Sequence, residues 1–317
     1  MKSVIREAIP GRLGRMQGRR RDRVHGGTFP RGCGKSGKGR RANPVSGARM
    51  TNRGRCCTME EEPEQEGRIH MNTVLARQLA LDYHCTSDQV TDGMNHFLPH
   101  AFLEGRRRFQ EKEECMLKIA AVNGKLLFTG QESILAWCRE TYADTGAAWF
   151  MEARNMRRLD DKLLQEGFRI SMAHPFYISE RVEPVETDGA EILFLEAEDI
   201  EQYRGDSRYD EAFAFDPKAP DVLGVAALRD GKILGMAGAS SDSPLMWQIG
   251  INVDTAERGR GIGSMLVRLL KNEVIRRGHL PYYGTSMSHI ASQNVAIRAG
   301  FRPAWAEIVT SRVEDTP

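Results

Sequence analysis

Residues 253–270, VDTAERGRGIGSMLVRLL, place Gly259, Gly261 and Gly263 within five positions, between an apolar run ending at Val253 and an apolar helical pattern. This stretch narrows the folds open to the chain, because it reads as strand, glycine turn and helix in immediate succession. A helix N-terminus exposes unpaired backbone N–H groups and the positive end of the helix dipole. Glycines leave those groups uncovered, and Arg258 and Arg260 add charge and donors at the same place. One dipole contribution is only about 0.3–1 kcal/mol when exposed, so several donors must converge to hold a diphosphate. Two familiar phosphate motifs do not fit. A P-loop needs Lys-Ser/Thr, and neither Gly261 nor Gly263 is followed by it. The tail segment GCGKS (32–36) has Phe29 where the first glycine belongs, and no strand precedes it. A dinucleotide fingerprint needs GxGxxG after a first strand, whereas this chain has GxGxG after the fourth strand of its half.

The rest of the pattern supplies the elements around this turn. Residues 72–84 read as a helix, with Val74, Leu75 and Leu79 toward one face. Residues 115–130 read as a hairpin through Asn123-Gly124, since both central positions favour positive φ. Helices follow over 131–142 and 149–167, then a strand over 169–179 whose Pro175 predicts an edge position. The segment 181–190 has the composition of a linker, which sets a domain boundary near residue 188. Beyond it come a strand from 191 with Asp199 as N-cap of a short helix, a hairpin over 221–242 through Asp230-Gly231, and an apolar strand over 244–253. The glycine turn and its helix to Gly278, a strand over 279–288, a helix over 290–300 and a strand over 301–312 complete the order. Strands interrupted by helices in this way predict a mixed α/β sheet.

Charge divides the chain unevenly. Residues 1–58 hold 16 Lys/Arg against Glu7 and Asp22, so the other 259 residues carry 29 basic and 41 acidic side chains. The tail is rich in glycine and poor in aromatic residues, a composition that cannot offset its ordering entropy, and residues 1–70 are expected to be a disordered basic tail. Its arginines could bind nucleic acid, or it could be an organelle address. The reading carried forward places it upstream of the working protein, with Met59 or Met71 as the true start. Of Cys33, Cys56, Cys57, Cys85, Cys115 and Cys138 none forms a CxxC pair, and no apolar run nears the ~18 residues of a membrane span. A cytoplasmic protein with no membrane partner and cysteines acting as small hydrophobes is expected. His96 and His100 are spaced like ligands on a helix, but Pro99 intervenes and no Glu completes the motif, so no metal is expected. GRRRF (105–109) reads as an exposed basic turn, and Trp137, Trp149, Trp247 and Trp305 read as core.

Arg258-x-x-Gly261-x-Gly263 after a strand resembles the acyl-CoA signature of the GNAT superfamily of N-acetyltransferases, and ASQNVAIRAGF (291–301) resembles its second landmark. The order of elements over 191–312 matches the same superfamily. Residues 71–312 are similar to a bacterial branch with an extra N-terminal domain, exemplified by zwittermicin A resistance acetyltransferases. The resemblance implies a GNAT fold over 188–317: a mixed, mostly antiparallel twisted sheet with flanking helices, preceded by a smaller α/β domain over 71–187.

The resemblance further implies acetyl-CoA as co-substrate. Backbone N–H groups from Gly259 through Arg260, Gly261, Ile262 and Gly263 to Ser264 would receive the pyrophosphate, and Ile251, Asn252 and Val253 would pair with the pantetheine arm. The Val253 N–H would stabilise the oxyanion, and the substrate amine would attack directly. This sequence departs from the family at both proton transfers. Ala296 stands where many relatives have an acidic Tyr, and the central strand offers Gln248 but no Glu. Tyr282, Tyr283 and Glu307, an ordered water or an N-terminal residue remain as bases. His289, three residues before Ser292, stands where relatives carry Asn, either as a base or as a solvated helix start. The expected function is N-acetylation of a small amine, with a cationic substrate favoured by the acidic body. The alternative is a basic-tailed, nucleic-acid-associated protein whose GNAT domain binds CoA or modifies a basic protein. The oligomeric state is left open.

Overall fold

The computed structural model describes residues 72–107 and 115–315. The expectations for residues 1–70, including the three tail cysteines, lie outside the described residues. The chain runs α1 (Thr73–Tyr83), α2 (Ser87–Thr91), β1 (His96–Pro99), β2 (Leu117–Val122), β3 (Lys125–Gly130), α3 (Glu132–Tyr142), α4 (Ala153–Leu164) and β4 (Phe168–Ile178). It continues with β5 (Glu191–Glu196), α5 (Ala197–Ile200), β6 (Asp221–Arg229), β7 (Lys232–Ser241), β8 (Met246–Val253), α6 (Ile262–Arg276), β9 (Leu280–Gly284), α7 (Ile290–Arg298) and β10 (Arg302–Arg312). Both expected hairpins are present, closed by two-residue turns with Asn123, Gly124, Asp230 and Gly231 at positive φ.

All ten strands form one sheet in the order β1-β3-β2-β10-β4-β9-β8-β7-β6-β5. Only β1–β3 and β8–β9 are parallel, so the sheet is mixed and mostly antiparallel, with helices on its faces. This is the mixed, mostly antiparallel α/β architecture that the resemblance implied. The sheet runs without a break across residue 188, because β4 lies between β10 and β9. It pairs with β10 along its length, from Arg302 opposite Ile178 to Arg312 opposite Phe168. Pro175 therefore sits in an interior strand and not at an edge. The strand tolerates it because pairing with β9 covers only Phe176–Ile178, leaving one hydrogen-bonded neighbour at residue 175.

Other local expectations change in the same way. Asp199 is not the N-cap: α5 begins after Glu196, and the Asp199 carboxylate accepts from the Glu196 N–H at 3.1 Å. His96 lies on β1 and not on a helix, with its Nε2 2.8 Å from Asp92. Among the described residues no group of three or more His, Cys, Asp or Glu could hold a metal ion. Trp149 is 75% exposed, whereas Trp247 and Trp305 are core. Cys85, Cys115 and Cys138 are free thiols. No helix among the described residues is long and apolar enough to cross a membrane.

The largest correction concerns GRRRF. Arg107 is fully buried, paired with Asp82 of α1 and Glu307 of β10. Its backbone N–H also donates to Asp82 at 2.9 Å. The guanidinium lies 5.0 Å from the Trp305 ring centroid and 5.8 Å from those of Phe176 and Tyr282. Lys118 Nζ donates to the Asp82 carbonyl at 2.8 Å. One cation thus ties the first described helix to β10 beneath the sheet.

Candidate functional site

The site begins where two parallel strands part. β8 and β9 pair only from Met246–Leu280 to Gln248–Tyr282. Beyond Gln248 the β9-facing edge of β8 has no strand beside it, while its other edge stays paired with β7 as far as Val253. The Asp254 N–H donates to Leu234 on the β7 side at 2.9 Å. Backbone groups alternate sides along an antiparallel ladder. Ile251 and Val253 therefore present their N–H groups to the opening, and Asn252 presents its own to β7. The Asn252 side chain is also turned away from the opening edge. Its Oδ1 accepts from the N–H groups of Glu211 and Ala212 at 3.0 and 2.7 Å.

The glycine turn closes this edge. Gly259 and Gly261 take φ of +79° and +84°, a region that costs other residues about 1–2 kcal/mol. Gly261 is the N-cap of α6 and supplies no side-chain cap, so the first-turn N–H groups of the helix lie bare. Ile262 and Gly263 are buried, and a Cβ at Gly263 would lie tightly against Val253 at 3.3 Å and in ordinary contact with Val295 at 3.5 Å. That tight fit sets the helix start directly over the end of β8. Arg258 is exposed, with its Nε 3.4 Å from the Val253 carbonyl. Arg260 pairs with Glu257 at 3.1 Å, which offsets part of its charge. Beside the turn is a cavity of about 570 Å³, into which Arg260, Ser264, Arg268 and Arg298 project against the 184–190 linker.

Tyr283 and Ser292 meet on the α7 side of the opening. The Tyr283 hydroxyl is 2.9 Å from Ser292 Oγ, and burial pushes its pKa up to about 12, with repulsion from Glu211 adding to the rise. Such a phenol keeps its proton at neutral pH. His289 is exposed at the N-cap of α7, where its side chain caps no helix N–H. The other two base candidates have partners of their own. Tyr282 donates to the buried carboxylate of Asp242, which also accepts from Ser240 at 2.9 Å. Glu307 is committed to Arg107.

The sequence reading missed the loop 209–213. Tyr209 and Phe213 are buried anchors, and Gly238 of β7 lies under the loop, where a Cβ would collide with the Ala212 carbonyl and the Phe213 ring. The spaced aromatics of YDEAFAF could have indicated a pinned loop. Nothing in the sequence shows that the charge of Glu211 raises the pKa of Tyr283.

Residues 190–301 match the acetyltransferase (GNAT) family. Solved structures to which the chain is similar include an acetyltransferase of the GNAT family from Novosphingobium aromaticivorans, at 20% identity over 45% of this chain and 66% of that one, with a TM-score of 0.33. A GCN5-related N-acetyltransferase from Kribbella flavida is 17% identical over 48% of this chain and 62% of that one, TM-score 0.36. A GCN5-related N-acetyltransferase-like protein from Streptococcus suis is 13% identical over 73% of this chain and 97% of that one, TM-score 0.40. The aligned stretch spans just under two thirds of the Novosphingobium and Kribbella chains. No curated protein matches the chain.

Proposed function

We propose that the protein transfers the acetyl group of acetyl-CoA to the amine of a small molecule by direct attack. The observation that carries this reading is the juxtaposition of an unpaired strand edge, Ile251–Val253, with a bare helix start at Gly261. An extended arm ending in a diphosphate matches both: the edge accepts it as an added strand would be accepted, and the helix start takes the anion. Backbone from Gly259 to Ser264 binds the diphosphate, with Arg258 and Arg260 beside it. The Val253 N–H, facing the opening, stabilises the oxyanion that forms as the thioester carbonyl is attacked. Tyr283, oriented by Ser292, supplies a proton to the leaving sulfur. A thiol of pKa near 8.5 leaves readily, so this assistance is modest at neutral pH. His289, solvated at the helix start, has no assigned proton-transfer role in this scheme.

The test is acetyl-CoA-dependent release of free thiol across a panel of primary amines, including diamines and amino sugars. Turnover of at least one amine is expected, with product mass raised by one acetyl group. Thiol release that no amine accelerates would contradict the reading.

A further inference from the structure

We propose that Glu211 is the proton acceptor for the incoming amine, an inference that rests on the acetyl-transfer reading above. The departure point is the absence of a carboxylate on β8, where Gln248 is buried and its Oε1 has no hydrogen-bond partner. Side chains alternate along β8. Trp247 and Ile249 pack with α6, and Met246 packs on the other face with α1. Gln248 and Asn252 share the face of Met246. Asn252 reaches from there to the backbone of Glu211 and Ala212. The loop is thus fixed on the face opposite the helix that starts at Gly261. Tyr283 belongs to the cluster on the α6 face. Glu211 and Tyr283 accordingly flank the parted strands from opposite faces.

The environment of Glu211 is unusual for a half-buried acid. Among the described residues no cation pairs with its carboxylate and no donor hydrogen-bonds it. With no cation beside it, this carboxylate leaves that place for an arriving ammonium group. The neighbouring groups do not compete for that role. Asp210, on the same loop, accepts from Asn252 Nδ2 at 3.4 Å. β8 presents neutral Asn252, α7 presents neutral Ser292, and β9 presents the protonated phenol of Tyr283. The acceptor amine and the thioester then approach from opposite faces, with the base on the amine's side.

Proton balance follows. Glu211 takes one proton from the substrate ammonium and releases it to solvent. The freed lone pair forms the C–N bond at the acetyl carbon. On collapse the C–S bond breaks with its electrons on sulfur, Glu211 takes the second nitrogen proton and passes it to solvent, and Tyr283 protonates the sulfur. Solvent reprotonates Tyr283, so one proton is released per turnover.

The experiment compares kcat/KM against pH for wild type and Glu211→Gln with an amine found on the panel, alongside calorimetry with acetyl-CoA. The Gln variant is expected to bind acetyl-CoA within about twofold of wild type and to lose roughly 100-fold in kcat/KM at pH 7. The gap should narrow as pH approaches the amine's own pKa, near 10.4 for a lysine-like amine, because free base then comes from solution. An equal loss at every pH, or no loss, overturns the assignment. If melting shows that the Gln variant is unfolded, Glu211→Asp carries the comparison and should retain the wild-type pH dependence; losing it overturns the assignment too. If wild type neither binds acetyl-CoA nor acetylates any amine, the acetyl-transfer reading itself has failed, and the wild-type data alone reveal that.

Discussion

A fragment beginning at residue 188 is expected not to fold, although it holds every residue that matches the family model. The reason is β4. It supplies β10 with a partner over the whole strand and gives β9 its neighbour opposite β8. Removing residues 72–187 also strips β2 from the other edge of β10. β10 would then have no strand on either side, and β9 would expose a new edge. The loss reaches both cores around the site. Tyr177 belongs to the core cluster that includes Leu266 and Leu270 of α6, and Phe176 and Ile178 belong to the one that includes Tyr282 and Trp305. Fully burying side chains of this size contributes about 1.5–3 kcal/mol each, so these three alone are comparable to the ~5–15 kcal/mol net stability of a typical domain. Far-UV circular dichroism and thermal melts of the fragment should show no cooperative transition. A soluble fragment with a sharp melt would mean that the opening does not depend on the N-terminal half.

The second large effect is expected at Arg107. Replacing it by Ala leaves the carboxylates of Asp82 and Glu307 buried and facing each other without their cation. Breaking a buried pair in this way typically costs about 3–5 kcal/mol. At about 2–4 °C per kcal/mol for a chain of this size, the melting temperature should fall by roughly 10 °C. Replacing all three residues by apolar ones of similar volume should recover much of the loss, because desolvation of the ions is removed together with their attraction. A drop of less than ~2 °C in the single variant would show that water reaches the pair, against the full burial seen here.

What could be read from the sequence was local. Asn123-Gly124 and Asp230-Gly231 dictate their turns through φ alone, and the apolar spacing of α6 needs no knowledge of its partners. The glycine turn was legible for the same reason: bare N–H groups at a helix start follow from the residues present. What escaped depends on distant pairings. Pro175 signals an edge only if both neighbours pair through that residue, and here β9 does not reach it. Three consecutive arginines read as a solvated turn unless Asp82 and Glu307 are known to converge on the middle one. Glu211 lacks any motif, and its place is set by Asn252 and Gly238, 41 and 27 residues further along. Tyr283 could be named as a candidate, but the rise in its pKa comes from burial that only the packed structure supplies.

Calorimetric titration of the full chain with acetyl-CoA tests the central claim most directly. The bare turn at 259–264 and the open edge of β8 predict saturable heat at one site per chain, with affinity within the roughly 1 μM–1 mM span of enzyme substrates. Absence of heat with acetyl-CoA, at protein concentrations that would reveal millimolar binding, would contradict it.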